Sequence, residues 1–300
     1  MAFAASLCDL PDTLCALCVL SFKCALRPQS RPPHSAAEMN LSVTCTLSYQ
    51  VLAPTAAFSF NVLANTDAQQ RIVHETITGT PPVPTEQIAT TKGNRVLRLE
   101  APSGPFELRY HAIIDVTRPA LPPVVKADNP GRLPLSILTY TLPSRYCESD
   151  RFAQLAWELF GKTEDRAEQV KAICLWLDQN LTYAPRTTDA RTSAWDVWQG
   201  RQGVCRDYAH LAIAFCRALS IPARYVGGYA AGLVPMDFHA CFEAYLGGEW
   251  HLFDPTDGIA PDHIAVISRG RDAASAGLTT IFGKVQLGPV IVACAPAPEA

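Results

Sequence analysis

Apolar and polar residues alternate strictly from residue 41 to residue 49. Leu41, Val43 and Cys45 are separated by small polar residues, and the same two-residue period returns at 58–62 and 106–116. This period is typical of strands with one buried face. Weaker strand patterns occur near 72–78 and 95–100, with turn-rich segments between them. Several short strands that each have a polar face predict an antiparallel β-sandwich.

The pattern changes after a proline-rich segment. Five prolines fall within sixteen residues, at positions 119, 122, 123, 130 and 134. Proline fixes φ and removes a backbone donor, so this segment predicts an extended linker between domains. Helical spacing follows from Ser149, and paired strands follow the helices. Helices followed by paired strands predict an α+β domain.

One of these helices begins at Cys205. The segment GVCRDYAHLAIAFCRALSIP has its apolar residues at helical spacing and ends at Pro222. Free amides and the macrodipole at a helix N-terminus favour an anion, and a thiolate is both an anion and a nucleophile. The amide of Cys205 could also donate to an oxyanion. An ordinary buried thiol, of the kind expected for Cys216 in the helix interior, remains the alternative interpretation of Cys205.

The glycine pair 247–248 predicts a two-residue hairpin turn. Counting back from the turn places Cys241 opposite Asp254. His239 lies two residues before Cys241, so it shares that sheet face and is the diagonal neighbour of Asp254. His251 falls on the opposite face. Glu243 shares the His239 face and is the reserve acid partner.

These residues resemble those of the transglutaminase-like superfamily of papain-type cysteine enzymes. The segment WQGRQGVCRDYAHLAIAFCRALSIPARYVGGY is similar to the family's nucleophile helix and following strand. HACFEAY and WHLFDPTDG are similar to its histidine and aspartate strands. The resemblance covers residues 150–270. The β region at 39–118 resembles the N-terminal domain of many bacterial members, and ISRGRDAA at 267–274 resembles that bacterial subgroup.

The resemblance implies a catalytic triad of Cys205, His239 and Asp254. Cys205 would attack a carboxamide or peptide carbonyl, His239 would relay the proton, and Asp254 would orient the imidazole. The contact between Cys205 and the hairpin is implied by the resemblance alone. Position 241, often tryptophan in relatives, is cysteine here, and Gln169 lies near the spacing at which animal transglutaminases carry an oxyanion-binding tryptophan. Hydrolysis is therefore favoured over transamidation.

The expected fold class is α+β, with a papain-like or transglutaminase-like core after the β-sandwich. The domains predicted are an N-terminal extension at 1–38, a β-sandwich at 39–118, a linker at 119–148, a catalytic domain at 149–285 and a tail at 286–300. The expected function is a cysteine protease or amidase. A transglutaminase, a small-molecule acyltransferase with the same triad and a catalytically idle binding domain remain alternatives.

Residues 1–38 differ from the rest of the chain. Asp9 and Asp12 precede an apolar run, whereas a signal peptide needs basic residues there. Cys15 and Cys18 form a CxxC without the second ligand pair that a zinc site needs. We expect this segment to be a disordered or non-native extension.

The composition limits the kinds of partner that we expect this chain to bind. A net charge of −3, from 25 basic and 28 acidic residues, argues against a nucleic-acid surface and a polybasic membrane patch. No apolar run approaches the roughly 20 residues of a membrane span. The eleven scattered cysteines favour buried reduced thiols, which predicts a cytoplasmic protein. We expect a peptide or amide substrate, and this mechanism requires neither a metal nor a cofactor.

Overall fold

The computed structural model describes residues 39–297 except 92, 127–129 and 257. The predicted extension at 1–38 lies outside these residues. The strands are β1 (Met39–Phe60), β2 (Gln70–Thr80), β3 (Thr85–Ala89), β4 (Arg95–Val116), β5 (Thr182–Tyr183), β6 (Gln202–Gly203), β7 (Ala223–Ala230), β8 (Phe238–Leu246), β9 (Glu249–Phe253), β10 (Ile264–Gly270), β11 (Thr279–Phe282) and β12 (Val285–Pro296). The α-helices are α1 (Leu135–Leu138), α2 (Ala153–Phe160), α3 (Arg166–Asn180), α4 (Ala194–Gly200) and α5 (Cys205–Ala218).

The N-terminal region is one antiparallel sheet that bends over itself. β1 and β4 pair along most of their length, β2, β3, β11 and β12 complete the sheet, and the register of β1 against β4 shifts between Val51 and Thr55. Past this bulge the buried positions of β1 change from odd to even numbers, so both halves face the same interior. The ring of Tyr49 lies 4.9 Å from that of Phe58 across this interior. The predicted β-rich domain is confirmed, with its two layers formed by bent strands.

The second sheet has the order β10-β7-β8-β9 and is antiparallel throughout. On one side, Ala240, Phe242 and Ala244 of β8 pack in the same core as α5. Toward the end of these strands, Tyr229 and Phe238, which pair with each other, pack with the apolar interior of the N-terminal sheet. The sheet therefore packs against α5 along these strands and against the N-terminal sheet at their end, and the predicted α+β class is confirmed.

Two assignments made from the sequence need correction. Residues 286–300 were expected to form a tail, but Val285–Pro296 form β12, which pairs with β1 and buries Val292 and Cys294. Gly288 and Pro289 interrupt its alternation and so conceal the strand in the sequence. The segment 119–148 is more than a linker, because it contains α1 and buries Tyr140, Tyr146 and Cys147.

The two sheets are joined by buried polar contacts. Gln70 donates to the carbonyl of Val266 at 2.9 Å and accepts from its amide at 2.7 Å. The side chain of Asn94 likewise donates to the carbonyl of Arg269 and accepts from its amide. Side-chain amides thus extend the hydrogen bonding of β10 into the N-terminal sheet. None of the helices in the described part of the chain has the length and apolar character to cross a membrane.

Candidate active site

Cys205 is the first residue of α5 and is almost fully buried. The carboxylate of Asp207, in the same first turn, accepts the amide of Val204 at 2.9 Å and the hydroxyl of Thr188 at 2.5 Å. Its other oxygen accepts from the buried Arg206 guanidinium at 2.8 Å. These contacts fix the start of the helix and attach it to the loop that contains Thr188, so the thiol has a defined position.

Position 203, two residues before Cys205, requires glycine because the backbone there passes close to the side chain of Asp207. A Cβ atom at this position would lie 2.7 Å from the Cβ of Asp207, well inside van der Waals contact. Gly203 also belongs to β6, which pairs in parallel with β5 and accepts the amide of Ala184 at 2.9 Å. The glycine therefore allows strand β6 to pass directly into α5.

The predicted hairpin register is confirmed. Leu246 pairs with Glu249 and Tyr245 with Trp250, across Gly247 and Gly248, whose φ values are +63° and +96°. Positive φ at both turn residues is the requirement that glycine meets without strain.

The imidazole of His239 contacts both other predicted triad residues. His239 Nε2 lies 3.0 Å from Asp254 Oδ2. The Cys205 thiol lies close enough to the His239 imidazole to interact with it by hydrogen bonding and by charge. The structure thus brings together the three residues singled out from the sequence.

Asp254 is held by more than the imidazole. Its Oδ1 accepts the amide of Thr256 at 3.0 Å and the hydroxyl of Thr256 at 2.7 Å, and its Oδ2 also accepts the amide of Ile259 at 3.1 Å. Burial alone would raise the pKa of Asp254, but His239 and these donors lower it below its usual value. The carboxylate is therefore ionised and oriented at neutral pH.

The same pair controls the charge on the imidazole. Burial alone would lower the pKa of His239, but the Asp254 carboxylate and the hydrogen bonds to Asp254 and Cys205 raise it well above its usual value. A protonated imidazole beside a cysteine is the arrangement in which the sulfur can exist as a thiolate.

The competing residues named from the sequence are engaged elsewhere. Glu243, the reserve acid partner, is paired with Arg269 at 3.0 Å and with Arg224 at 2.5 Å. Burial alone would raise its pKa, but the two guanidinium groups lower it to about 2. His251 pairs across the hairpin with Ala244, whose side of the sheet faces α5. Gln169 is buried in α3, where it donates to the carbonyls of Phe160 and Thr163.

Two further residues lie at the site and were missed from the sequence. The hydroxyl of Tyr183 is within hydrogen-bonding reach of both the amide and the thiol of Cys205, and its ring centroid lies 6.0 Å from that of Tyr208. Burial, followed by the charge of Cys205, raises the pKa of Tyr183. Asp237 precedes β8 and lies close enough to His239 and Tyr183 to interact electrostatically with both. Alternation along β8 could have suggested Asp237, whereas Tyr183 depends on the short β5–β6 pairing.

Within the described ranges, no group of three or more histidine, cysteine or acidic side chains is arranged to hold a metal ion. The seven described cysteines are free thiols, at positions 45, 147, 174, 205, 216, 241 and 294.

The chain is similar to a solved structure over most of its length. The crystal structure of a protein from Cytophaga hutchinsonii, described as a "putative cysteine protease", is 39% identical, with a TM-score of 0.83. The match covers 88% of this chain and 93% of that chain. A family model for the transglutaminase-like superfamily matches residues 153–255.

Two curated relatives are mycobacterial proteins that carry the description "uncharacterized protein". One, from Mycobacterium leprae, is 30% identical over 139 residues, which are 43% of this chain and 50% of that protein. The other, from Mycobacterium tuberculosis, is 32% identical over 173 residues, which are 52% of this chain and 55% of that protein. The chain thus spans about half the length of the curated relatives it matches.

Proposed function

The chain belongs to the transglutaminase-like superfamily, and we propose that it hydrolyses peptide or carboxamide bonds with Cys205 as the nucleophile. The observation that carries this proposal is the continuous hydrogen-bonded path from the Cys205 thiol through the His239 imidazole to Asp254. A nucleophile, its base and an orienting carboxylate in this order are the requirements for acyl transfer through a covalent intermediate.

In the first half-reaction the thiol proton moves to His239 and the sulfur attacks the substrate carbonyl. The carbonyl oxygen becomes an oxyanion, which the Cys205 amide and the Tyr183 hydroxyl are placed to receive. The imidazolium then donates its proton to the departing amine as the C–N bond breaks. This leaves an acyl thioester on Cys205 and a neutral imidazole.

In the second half-reaction His239 accepts a proton from water, and the resulting hydroxide attacks the thioester. Collapse of this intermediate breaks the C–S bond, releases a carboxylic acid and returns the proton to the cysteine–histidine pair. Asp254 keeps the ring oriented through both steps because its other contacts, to the Thr256 and Ile259 backbone, do not involve the reacting atoms.

The test is turnover of peptide and carboxamide libraries by the full chain and by Cys205→Ala. We expect the substitution to reduce kcat/KM by about 10³-fold or more, since it removes the thiol that interacts with His239. Intact-mass measurement after an acid quench should show an acyl adduct on the wild-type chain alone. Cys216→Ala is the matched control, because Cys216 lies on the same helix and is fully buried. Turnover that survives Cys205→Ala would contradict the proposal.

Thiol labelling is an independent check. Iodoacetamide should modify Cys205 faster than Cys216 or Cys241. Burial raises the pKa of both of these thiols, so each is protonated at neutral pH and unreactive. Equal labelling rates for the three cysteines, read by peptide mass spectrometry, would remove the case for an activated thiolate.

A further inference from the structure

Asp237 lies at the edge of the active site, on the strand that carries the catalytic histidine. It directly precedes β8 and is two residues before His239, so the alternation of side chains places both on the same face of the sheet. The carboxylate is half-buried, and its Oδ1 accepts the amide of Phe238 at 2.7 Å. Asp237 also interacts electrostatically with Tyr183, the residue beside the Cys205 thiol. The carboxylate therefore borders the space where a substrate carbonyl would sit.

The charge of Asp237 is compensated less well than that of the other carboxylates in this part of the fold. Asp207 is paired with Arg206 at 2.8 Å, and Glu243 is paired with Arg269 at 3.0 Å. No arginine or lysine of the described residues pairs with Asp237, and the cation that acts on it is the imidazole of His239. Burial raises the pKa of Asp237 to about 6, in spite of the Phe238 amide and His239. A half-buried carboxylate without a cationic side chain is costly unless a ligand supplies the cation.

The position of Asp237 beside His239 is not explained by a role in orienting the imidazole. His239 Nε2 is already held by Asp254, and the imidazole also interacts with the Cys205 thiol, so the ring is oriented without a second carboxylate. The charges at the site also sum to a negative value. A thiolate and an imidazolium cancel, which leaves Asp254 and Asp237. Of these two side chains Asp237 is the more accessible, because the side chain of Asp254 is nearly fully enclosed.

We propose that Asp237 is an anionic subsite that selects substrates carrying an ammonium or guanidinium group beside the scissile carbonyl. This inference rests on the hydrolytic function proposed for Cys205, and it names the chemical class of that substrate. A cation at this position would meet the free carboxylate oxygen at the mouth of the cleft, within reach of the acyl group on Cys205.

The first test compares three peptide amides that differ in one side chain next to the scissile bond: lysine, its neutral isostere norleucine, and glutamate. Asp237→Asn should lower kcat/KM for the lysine substrate by roughly 10- to 100-fold, as expected for loss of one charged hydrogen bond, and leave the norleucine substrate nearly unchanged. Asp237→Glu keeps the charge and should keep the preference. Glu100→Gln, which removes an exposed carboxylate of the N-terminal sheet, is the control.

The preference should also depend on pH. The carboxylate is charged above its raised pKa of about 6, so discrimination between lysine and norleucine should weaken as the pH falls below that value. Equal losses for all three substrates in Asp237→Asn, or no loss for the lysine substrate, would overturn the proposal.

A second measurement separates this inference from the hydrolytic function. Cys205 is alkylated in the full chain with 2-bromoethylamine, iodoacetamide or iodoacetate, and each rate is divided by the rate for free cysteine. Relative to iodoacetamide, the cationic reagent should be favoured and the anionic one disfavoured, and Asp237→Asn should remove both effects. If turnover survives Cys205→Ala while this charge preference persists, the hydrolytic proposal alone fails. If the three relative rates respond equally to Asp237→Asn, the subsite proposal fails.

Discussion

At the scale of single residues, the side chain that could bind an oxyanion is not the one at the family's usual spacing in the sequence. Gln169 stands near the spacing of the oxyanion-binding tryptophan of animal transglutaminases, and its side chain is buried in α3 and donates to backbone carbonyls there. Tyr183 is 22 positions before Cys205 and has its hydroxyl beside the Cys205 amide and thiol. A hydroxyl there can exchange its contact with the amide for a shared contact with a substrate oxyanion.

Tyr183→Phe should therefore lower kcat by about 10- to 10³-fold with little change in KM, because the lost hydrogen bond forms with the transition state. Steady-state kinetics on any substrate turned over by Cys205 measure this. Tyr183→Trp retains an N–H donor and should recover part of the loss. Tyr245→Phe, which removes a hydroxyl near the β8–β9 turn, is the matched control. An unchanged kcat in Tyr183→Phe would exclude the hydroxyl from the oxyanion site.

At the scale of elements, the hairpin was predictable and the approach of the helix to it was not. The register of β8 against β9 follows from a glycine pair whose turn type leaves one way to count, and that register brings His239 to Asp254. The start of α5 was readable from apolar spacing. Its contact with His239 depends on packing between elements far apart in sequence, which no local pattern encodes.

The same distinction explains the missed elements. β5 and β6 are two residues each, too short for a periodic signal, yet their pairing places Tyr183 beside Gly203. β12 alternates only weakly, and its pairing with β1 joins segments more than 230 residues apart in the chain. Local propensity does not identify a strand whose stability comes from its partner.

The junction of β6 and α5 makes a prediction at this scale. Gly203→Ala should displace the start of α5, since the added Cβ would lie 2.7 Å from that of Asp207, and overpacking of this kind costs about 1–3 kcal/mol. We expect activity to fall further than stability, because Cys205 follows two residues later. Gly200→Ala, at the end of α4 with open space around it, is the control. Thermal unfolding and kcat/KM are the readouts, and equal behaviour of the two variants would contradict the argument.

At the scale of the whole molecule, ion pairs join the N-terminal region to the face of the four-stranded sheet that is opposite α5. Arg269 of β10 lies at the centre of this network. Its guanidinium pairs with Glu243 of β8 at 3.0 Å and with Asp67, from the loop after β1, at 2.7 Å. Glu243 shares its strand with His239, so the ion pairs connect the N-terminal domain to the strand that carries the proposed base. Loss of this network should therefore affect stability and the site together.

Glu243→Gln tests this connection. Removing one partner of a buried ion pair leaves the guanidinium groups of Arg269 and Arg224 without their carboxylate, and we expect the free energy of unfolding to fall by about 3–5 kcal/mol. Urea denaturation at pH 7 measures this difference. Glu107→Gln, which breaks the exposed pair with Arg109, should cost about 1 kcal/mol or less. A cost for Glu243→Gln no larger than that of Glu107→Gln would show that the network does not hold the domains together.

The difference in unfolding free energy between wild type and Glu243→Gln should depend on pH, in a direction set by the lowered pKa of Glu243. The folded-state pKa of Glu243 is lowered from 4.5 to about 2, so its contribution to stability is fully present above about pH 4.5. As the pH falls from there toward 2, the folded carboxylate must be protonated and the contribution is lost. The stability difference between wild type and Glu243→Gln should therefore be constant near neutrality and shrink in acid. A difference that instead grew as the pH fell would mean that Glu243 is not held ionised by Arg269 and Arg224.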